Sequence, residues 1–286
     1  MLTPRPEPGR IPRGARRALG GLLATALALV AAPERVSADS PAPLVLPAPG
    51  RAPWKPLTFR SIPKPTEYST RTGPDGRPVL AAETDCGASG LVLRLDPPID
   101  LRETPRLAWR WRITRPLAGG ARAHDERSRD GDDFAARVYV LFPFDSERAS
   151  LLDRWQRALG ERWYGRDLPG ATLTYVWPRE IARDTTWTSP FRDEVKLVAA
   201  EDPTRDGGAT AWREATLNVA RDARLGLGLA PDVPAVGIGI MTDADETCEV
   251  AGAEYGDFRW LGPDERARID PPLARSRDAR PEHELP

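Results

Sequence analysis

The stretch Asp133-Phe134-Ala135-Ala136-Arg137-Val138-Tyr139-Val140-Leu141-Phe142 decides the fold. Phe134, Ala136, Val138, Val140 and Phe142 fall on one side of an extended chain. Asp133, Arg137 and Tyr139 fall on the other. A period of two marks a half-buried β-strand, with one face on a core and one on water. The segment therefore predicts a strand over 133–142.

Working outward, the same pattern recurs on both sides. Leu107, Trp109, Trp111 and Ile113 share one face of the run 107–113, and residues 90–95 also alternate. Residues 116–132 are polar and contain glycine, as a loop should. Further strands are expected at 171–177, 194–199, 210–219, 236–241 and 253–261. Only residues 146–159 break the pattern: Ser146 can cap a helix, and Leu151, Leu152, Trp155 and Leu159 recur at helical spacing. Many strands, long polar loops and one short helix predict an all-β protein, a jelly-roll-like antiparallel β-sandwich with one short inserted helix.

The N-terminus reads differently. Arg5, Arg10, Arg13, Arg16 and Arg17 precede the apolar run Ala18–Ala32, and Val36-Ser37-Ala38 follows it. A run of about 15 apolar residues suits a signal-peptide core and is short for a membrane span. Residues 1–38 are thus expected to be a cleaved signal peptide, with an uncleaved anchor as the alternative, and the mature chain to be periplasmic or secreted. Arg16-Arg17 matches a twin-arginine signal poorly. Cleavage removes six arginines and two glutamates, leaving 35 basic and 40 acidic residues, a net charge of −5. Such a surface does not recruit nucleic acid. A proline-rich lead-in, 39–53, precedes the expected sandwich at 54–262. The charged, proline-containing tail 263–286 is expected to be disordered. No later stretch has the length of an integral membrane segment.

Several chemistries lack their residues. The two histidines, His124 and His283, lie in a charged loop and in the tail. That leaves no histidine cluster for zinc and no basis for a serine–histidine triad. There is no Walker loop or dinucleotide fingerprint, so no cofactor is expected. Cys86 and Cys248 form either one disulfide or two buried thiols, and export favours the disulfide.

Two acidic clusters stand out: Asp130-Gly131-Asp132-Asp133, and Asp243-Ala244-Asp245-Glu246 at the end of the strand 236–241. Such clusters bind calcium, serve as a glycosidase carboxylate pair, or form solvated turns. Neither has EF-hand spacing, and no metal site is assigned. Arg110, Arg112, Asp133, Arg137, Tyr139, Gly237, Gly239 and Met241 would share one polar, glycine-floored sheet face if their strands were neighbours. The alternative is an Asp133–Arg137 pair on an ordinary wet face. Trp109 and Trp111 read as core. Trp177, Trp187 and Trp212 either stack on sugar rings or fill space between the sheets.

The segments Trp109-Arg110-Trp111-Arg112, Gly131–Val140, Tyr175-Val176-Trp177, Met241–Thr247 and Ala253–Asp257 together resemble an uncharacterised bacterial family, domain of unknown function number three-zero-four-seven. The resemblance covers roughly 54–262, and Asp-Asp-Phe-Ala-Ala-Arg is its most specific element. It implies an exported one-domain protein and brings no activity with it. Cys86 and Cys248 stand where the family pattern has small non-cysteine residues, which suits a covalent pair. At the level of fold, the strands near 212, 238 and 253–261 resemble the ending of galactose-binding-like jelly rolls, a layout shared with carbohydrate-binding modules. The resulting expectation is a binding module for a polysaccharide or other polar cell-envelope component, with Asp133, Arg137, Tyr139, Asp243 and Asp245 at the site. The alternatives are a glycoside hydrolase-like enzyme pairing Asp133 with Asp243 or Asp245, and a structural envelope protein.

Overall fold

The computed structural model describes residues 44–50, 53–118, 124–143, 170–205 and 208–263. The expected signal peptide, the expected helix at 146–159 and the tail from 264 lie outside these residues. Thirteen strands run in chain order: β1 Leu44–Val45, β2 Lys55–Thr58, β3 Glu67–Thr72, β4 Pro78–Asp85, β5 Ala88–Ile99, β6 Arg106–Arg115 and β7 Arg137–Phe142. Then come β8 Ala171–Val176, β9 Thr186–Thr188, β10 Val195–Ala199, β11 Arg213–Asn218, β12 Ala235–Asp243 and β13 Val250–Leu261.

They form two sheets. One has the order β11-β6-β13-β4-β3, with β1 also paired to β13; the other runs β2-β5-β12-β7-β8-β10-β9. The fold is a jelly-roll-like β-sandwich, antiparallel except that β8 and β10 are parallel. Among the described residues no helix is long and apolar enough to cross a membrane.

The core forms where the alternating faces meet. Trp109 and Trp111 project inward from β6 with no exposed surface, their rings 5.1 Å apart and nearly perpendicular. Trp109 also lies 5.6 Å from Tyr175 on the opposite sheet and stacks on Phe258 at 6.3 Å. Edge-to-face and offset contacts of this kind add to the large apolar area each ring buries. Ala136, Val138, Val140 and Phe142 face this core, as their period predicts.

Phe134 does not join them. Pairing into β7 begins only at Arg137, so the alternation does not extend back to residue 133. Phe134 instead packs with Val176 and Leu197 in a separate small cluster, and the Arg137 guanidinium covers its ring at 4.7 Å.

The α-helix of the described region, α1 (Val219–Leu227), begins where sequence reading expected a strand to end. Its signals are local. The Asn218 side chain accepts a hydrogen bond from the Arg221 N–H at 2.9 Å, and Gly228 closes it at φ 66°, the left-handed conformation that glycine adopts without steric cost. The Tyr175 hydroxyl donates to Asp222 at 3.0 Å and ties α1 to β8.

Cys86 and Cys248 form a disulfide, with Cα atoms 3.9 Å apart. Both occupy the left-handed region, at φ 52° and 53°. The Cys86 N–H donates to the Glu249 carbonyl at 2.8 Å. The bridge thus fastens the β4–β5 turn to the loop between β12 and β13. Gly87 completes the turn because a Cβ there would lie 2.2 Å from the Lys64 carbonyl oxygen.

Candidate functional site

β7 and β12 are neighbours, with Tyr139 opposite Gly239 and Arg137 opposite Met241. Their outward residues line a groove of about 1210 Å³ on the outer face of the seven-stranded sheet. Its floor exists because β12 carries two glycines there. A Cβ on Gly237 would meet Leu141 at 2.9 Å, and one on Gly239 would meet the Tyr139 Cβ and Cδ2 at 3.4 Å. The half-buried Tyr139 ring leans across β12 over Gly239, until its hydroxyl reaches the Met241 Sδ at 3.4 Å. Burial pushes the phenol up, so it stays a neutral donor.

Arg137 and Asp243 sit at one end of this floor. Both are buried, and the Arg137 Nε donates to Asp243 Oδ1 at 2.8 Å while Nη2 reaches Oδ2. Arg137 also donates to the Asp132 carboxylate, at 3.4 Å, and to the Asp132 carbonyl. The Asp133–Arg137 pair held open as the alternative is therefore not formed. Asp133 precedes the strand, so its side chain follows no strand alternation, and Arg137 pairs with Asp132 and Asp243. Asp133 is fully buried and accepts from the backbone N–H groups of Glu246, at 3.4 Å, and Thr247, at 2.6 Å. It fixes the loop after β12 from behind. From the core side, the Tyr255 hydroxyl donates to the Met241 carbonyl at 2.7 Å.

That loop turns Asp245 and Glu246 into the groove. Asp133, Asp243, Asp245 and Glu246 offer oxygens that all lie within 4.8 Å of one another. Burial raises the Asp245 carboxyl, and neighbouring Asp133 raises it further. Burial, a hydrogen bond with Asp133 and the charges around it push Glu246 up to about 10. Burial likewise raises Asp132 and Asp243, against the pull of Arg137. An oxygen-liganded cation needs carboxylates this close, but Asp243 is committed to a guanidinium and Asp133 to two backbone N–H groups. The same commitments and the short spacing fit poorly with a glycosidase pair, whose carboxyls stand roughly 5–10 Å apart across an open cleft.

Of the residues expected at the site, Arg137, Tyr139, Asp243 and Asp245 line the groove, and Asp133 lies behind it. Arg110 and Arg112 belong elsewhere: β6 is in the other sheet, and the two guanidiniums cover the Trp212 ring at 4.6 and 5.2 Å. Trp177 packs on Trp111 at 5.5 Å, and Trp187 lies 6.2 Å from Phe134. Among the described residues no tryptophan lines the groove. Asp132 and Glu246, read from the sequence as members of the acidic clusters but not placed at the site, also line it, and sequence reasoning passed over Thr172 and Thr174 on its wall. The alternation of Thr172 and Thr174 with Leu173 and Tyr175 marked the two threonines as outward-facing.

These are the segments on which the family resemblance rests, and a sequence profile described as "Protein of unknown function (DUF3047)" matches residues 52–259. The chain belongs to the DUF3047 family. The profile spans the sandwich from β2 into β13, so the groove and its acidic loop are both part of the family region. No curated protein matches the chain. Among solved structures, it is similar to a family 11 carbohydrate-binding module from Clostridium thermocellum in complex with a β-1,3-1,4-mixed-linked tetrasaccharide. The identity is 9%, 77% of this chain and 95% of that one are covered, and the TM-score is 0.41. A family 30 carbohydrate-binding module from Clostridium thermocellum matches at 11% identity, covering 78% and 99%, with a TM-score of 0.35. The endoglucanase cel12A from Rhodothermus marinus matches at 12%, covering 76% and 96%, with a TM-score of 0.36.

Proposed function

We propose that the protein is an exported binding module that holds a carbohydrate, or a similarly polar cell-envelope component, in the groove of the seven-stranded sheet. In this reading residues 1–38 are removed on export and the mature chain works in the periplasm or outside the cell. Arg137, Tyr139, Asp243 and Asp245 belong to the site, with Asp133 as the group that holds the acidic loop in place.

The observation that carries the reading is the floor of the groove. Tyr139 is laid over a glycine in an open channel, which presents an aromatic ring beside carboxyl and hydroxyl groups. Sugar rings have apolar faces and polar rims. Flat aromatic surface flanked by a few fixed polar groups is what positions such a ligand.

The test is a glycan array followed by calorimetry on the purified protein. Tyr139→Ala is expected to weaken binding at least about tenfold. Tyr139→Phe, which keeps the ring and loses the hydroxyl, is expected to weaken it less. Binding that survives Tyr139→Ala unchanged sinks the groove as the site.

A further inference from the structure

We propose that the glycan held in the groove carries a positively charged amino group, seated between Asp245 and Glu246. This rests on the reading of the groove as a carbohydrate site.

The first observation is a local charge imbalance. Asp132, Asp243, Asp245 and Glu246 converge on one end of the groove with Asp133 behind them, and Arg137 is the cation seen to pair there, while Lys55, Arg60, Arg94 and Arg192 also line the groove. The Arg137 donors are directed at Asp243 and Asp132. Among the described residues, no guanidinium or ammonium pairs with Asp245 or Glu246. Carboxyls crowded this closely cannot all ionise without a counter-charge. A proton on Glu246 relieves the repulsion from Asp133, Asp243 and Asp245, in line with its raised pKa. An ammonium group would replace that proton, donating to both carboxylates in charge-assisted hydrogen bonds.

The second observation is independent of charge. Thr174, opposite Tyr139 on β8, lines the groove with no exposed surface, and its Oγ1 has no hydrogen-bond partner. Buried hydroxyls are nearly always bonded. An orphan hydroxyl on the groove wall, across the strand pair from the Tyr139 ring, points to an occupant rich in polar hydrogens and lone pairs. A hydroxylated amine supplies both the missing charge and the missing hydrogen bond.

The experiment titrates the full chain with three tetrasaccharides of the same β-1,4 linkage: glucosamine, N-acetylglucosamine and glucose oligomers. It is run at mildly acidic pH, where amines are charged, in two buffers of different ionisation enthalpy. The glucosamine oligomer is expected to bind at least about tenfold tighter than the two neutral ones, with net proton release. Glu246→Gln should abolish the preference, bringing the affinity for the glucosamine oligomer to that for the neutral ones. Tyr139→Ala should weaken all three. Equal affinity for the three oligomers, or an equal loss for all of them in Glu246→Gln, overturns the amino-group inference and leaves the groove reading standing. Glucosamine binding that survives Tyr139→Ala marks simple charge attraction and also overturns it. So does calcium binding, in a titration with the metal alone, that Glu246→Gln abolishes. If none of the three oligomers binds, the amino-group inference falls, and the groove reading is decided separately by the glycan array and Tyr139→Ala.

Discussion

The outer faces of the two sheets use the same residue types to opposite ends. On the six-stranded sheet, charges alternate in a closed square. Arg77 pairs with Asp75 and with Asp257, each at 2.7 Å, and Arg110 pairs with Asp257 at 2.8 Å and with Asp75. Burial pushes Asp75 up, but hydrogen bonds from Arg77 and Arg110 outweigh it and hold the carboxyl well below its usual range. At the acidic end of the groove on the seven-stranded sheet, among the described residues, Arg137 pairs with Asp132 and Asp243 alone, and the carboxyls of Asp132, Asp243, Asp245 and Glu246 are all raised. A balanced network joins the β3–β4 turn to β6 and β13 and has little left to offer a ligand. An unbalanced one retains binding capacity at some cost in stability, as functional sites commonly do.

The largest way to break the comparison is to remove the guanidinium on the unbalanced side. Arg137→Met leaves Asp132 and Asp243 buried without a counter-charge, and stripping one partner from such a group costs about 3–5 kcal/mol. Denaturant unfolding should show that loss. A change under about 1 kcal/mol would mean the carboxyls simply take up protons instead. Next comes the disulfide beside the acidic loop. Replacing both Cys86 and Cys248 by serine should lower stability by about 2–4 kcal/mol. It should also loosen the loop carrying Asp245 and Glu246, read as faster hydrogen exchange at the Glu246 and Thr247 amides.

A smaller effect separates the faces by pH. Glu246 has its folded pKa raised, to about 10 from an ordinary 4.5. The folded state therefore holds the extra proton between those values, and this group's contribution to stability is lost as pH rises through that window. Asp75 has its pKa depressed, so its contribution is present above the ordinary 3.8 and is lost as pH falls below it. Glu246→Gln should flatten the decline in melting temperature on the alkaline side, and Asp75→Asn should soften the loss in acid. Exchanged outcomes would reverse the assignment of the two faces. The smallest change is Arg71→Ala on the six-stranded sheet. Its pair with Glu83 is solvent-exposed, and such pairs contribute about 0.2–1 kcal/mol. A larger loss by thermal melting would show the balanced face to be cooperative.

The pattern of Trp109, Trp111, Val138, Val140 and Phe142 was legible because alternation is a local property, and each strand displays its own core face. Arg137 and Tyr139 were legible as the outward side of the same strand. The errors fell where a local rule was extended past its element. Phe134 and Asp133 lie before the point at which pairing begins. The Asn218 and Gly228 caps of α1 were present in the sequence but were overshadowed by the strand pattern preceding them.

What the sequence by itself determined is the β class, the inward face of each main strand, and the composition of two acidic clusters. These rest on periods of two and on residue types within a few positions. Tertiary structure decided which sheet each strand joined, and with it which charges met. Asp243 lies 106 positions from Arg137, and Asp75 lies 35 from Arg110. Strand order separated Arg110 and Arg112 from Arg137 and placed them on opposite faces of the sandwich. An ion pair depends on distances of a few ångströms, and those distances are set by the register of paired strands, which no local pattern encodes.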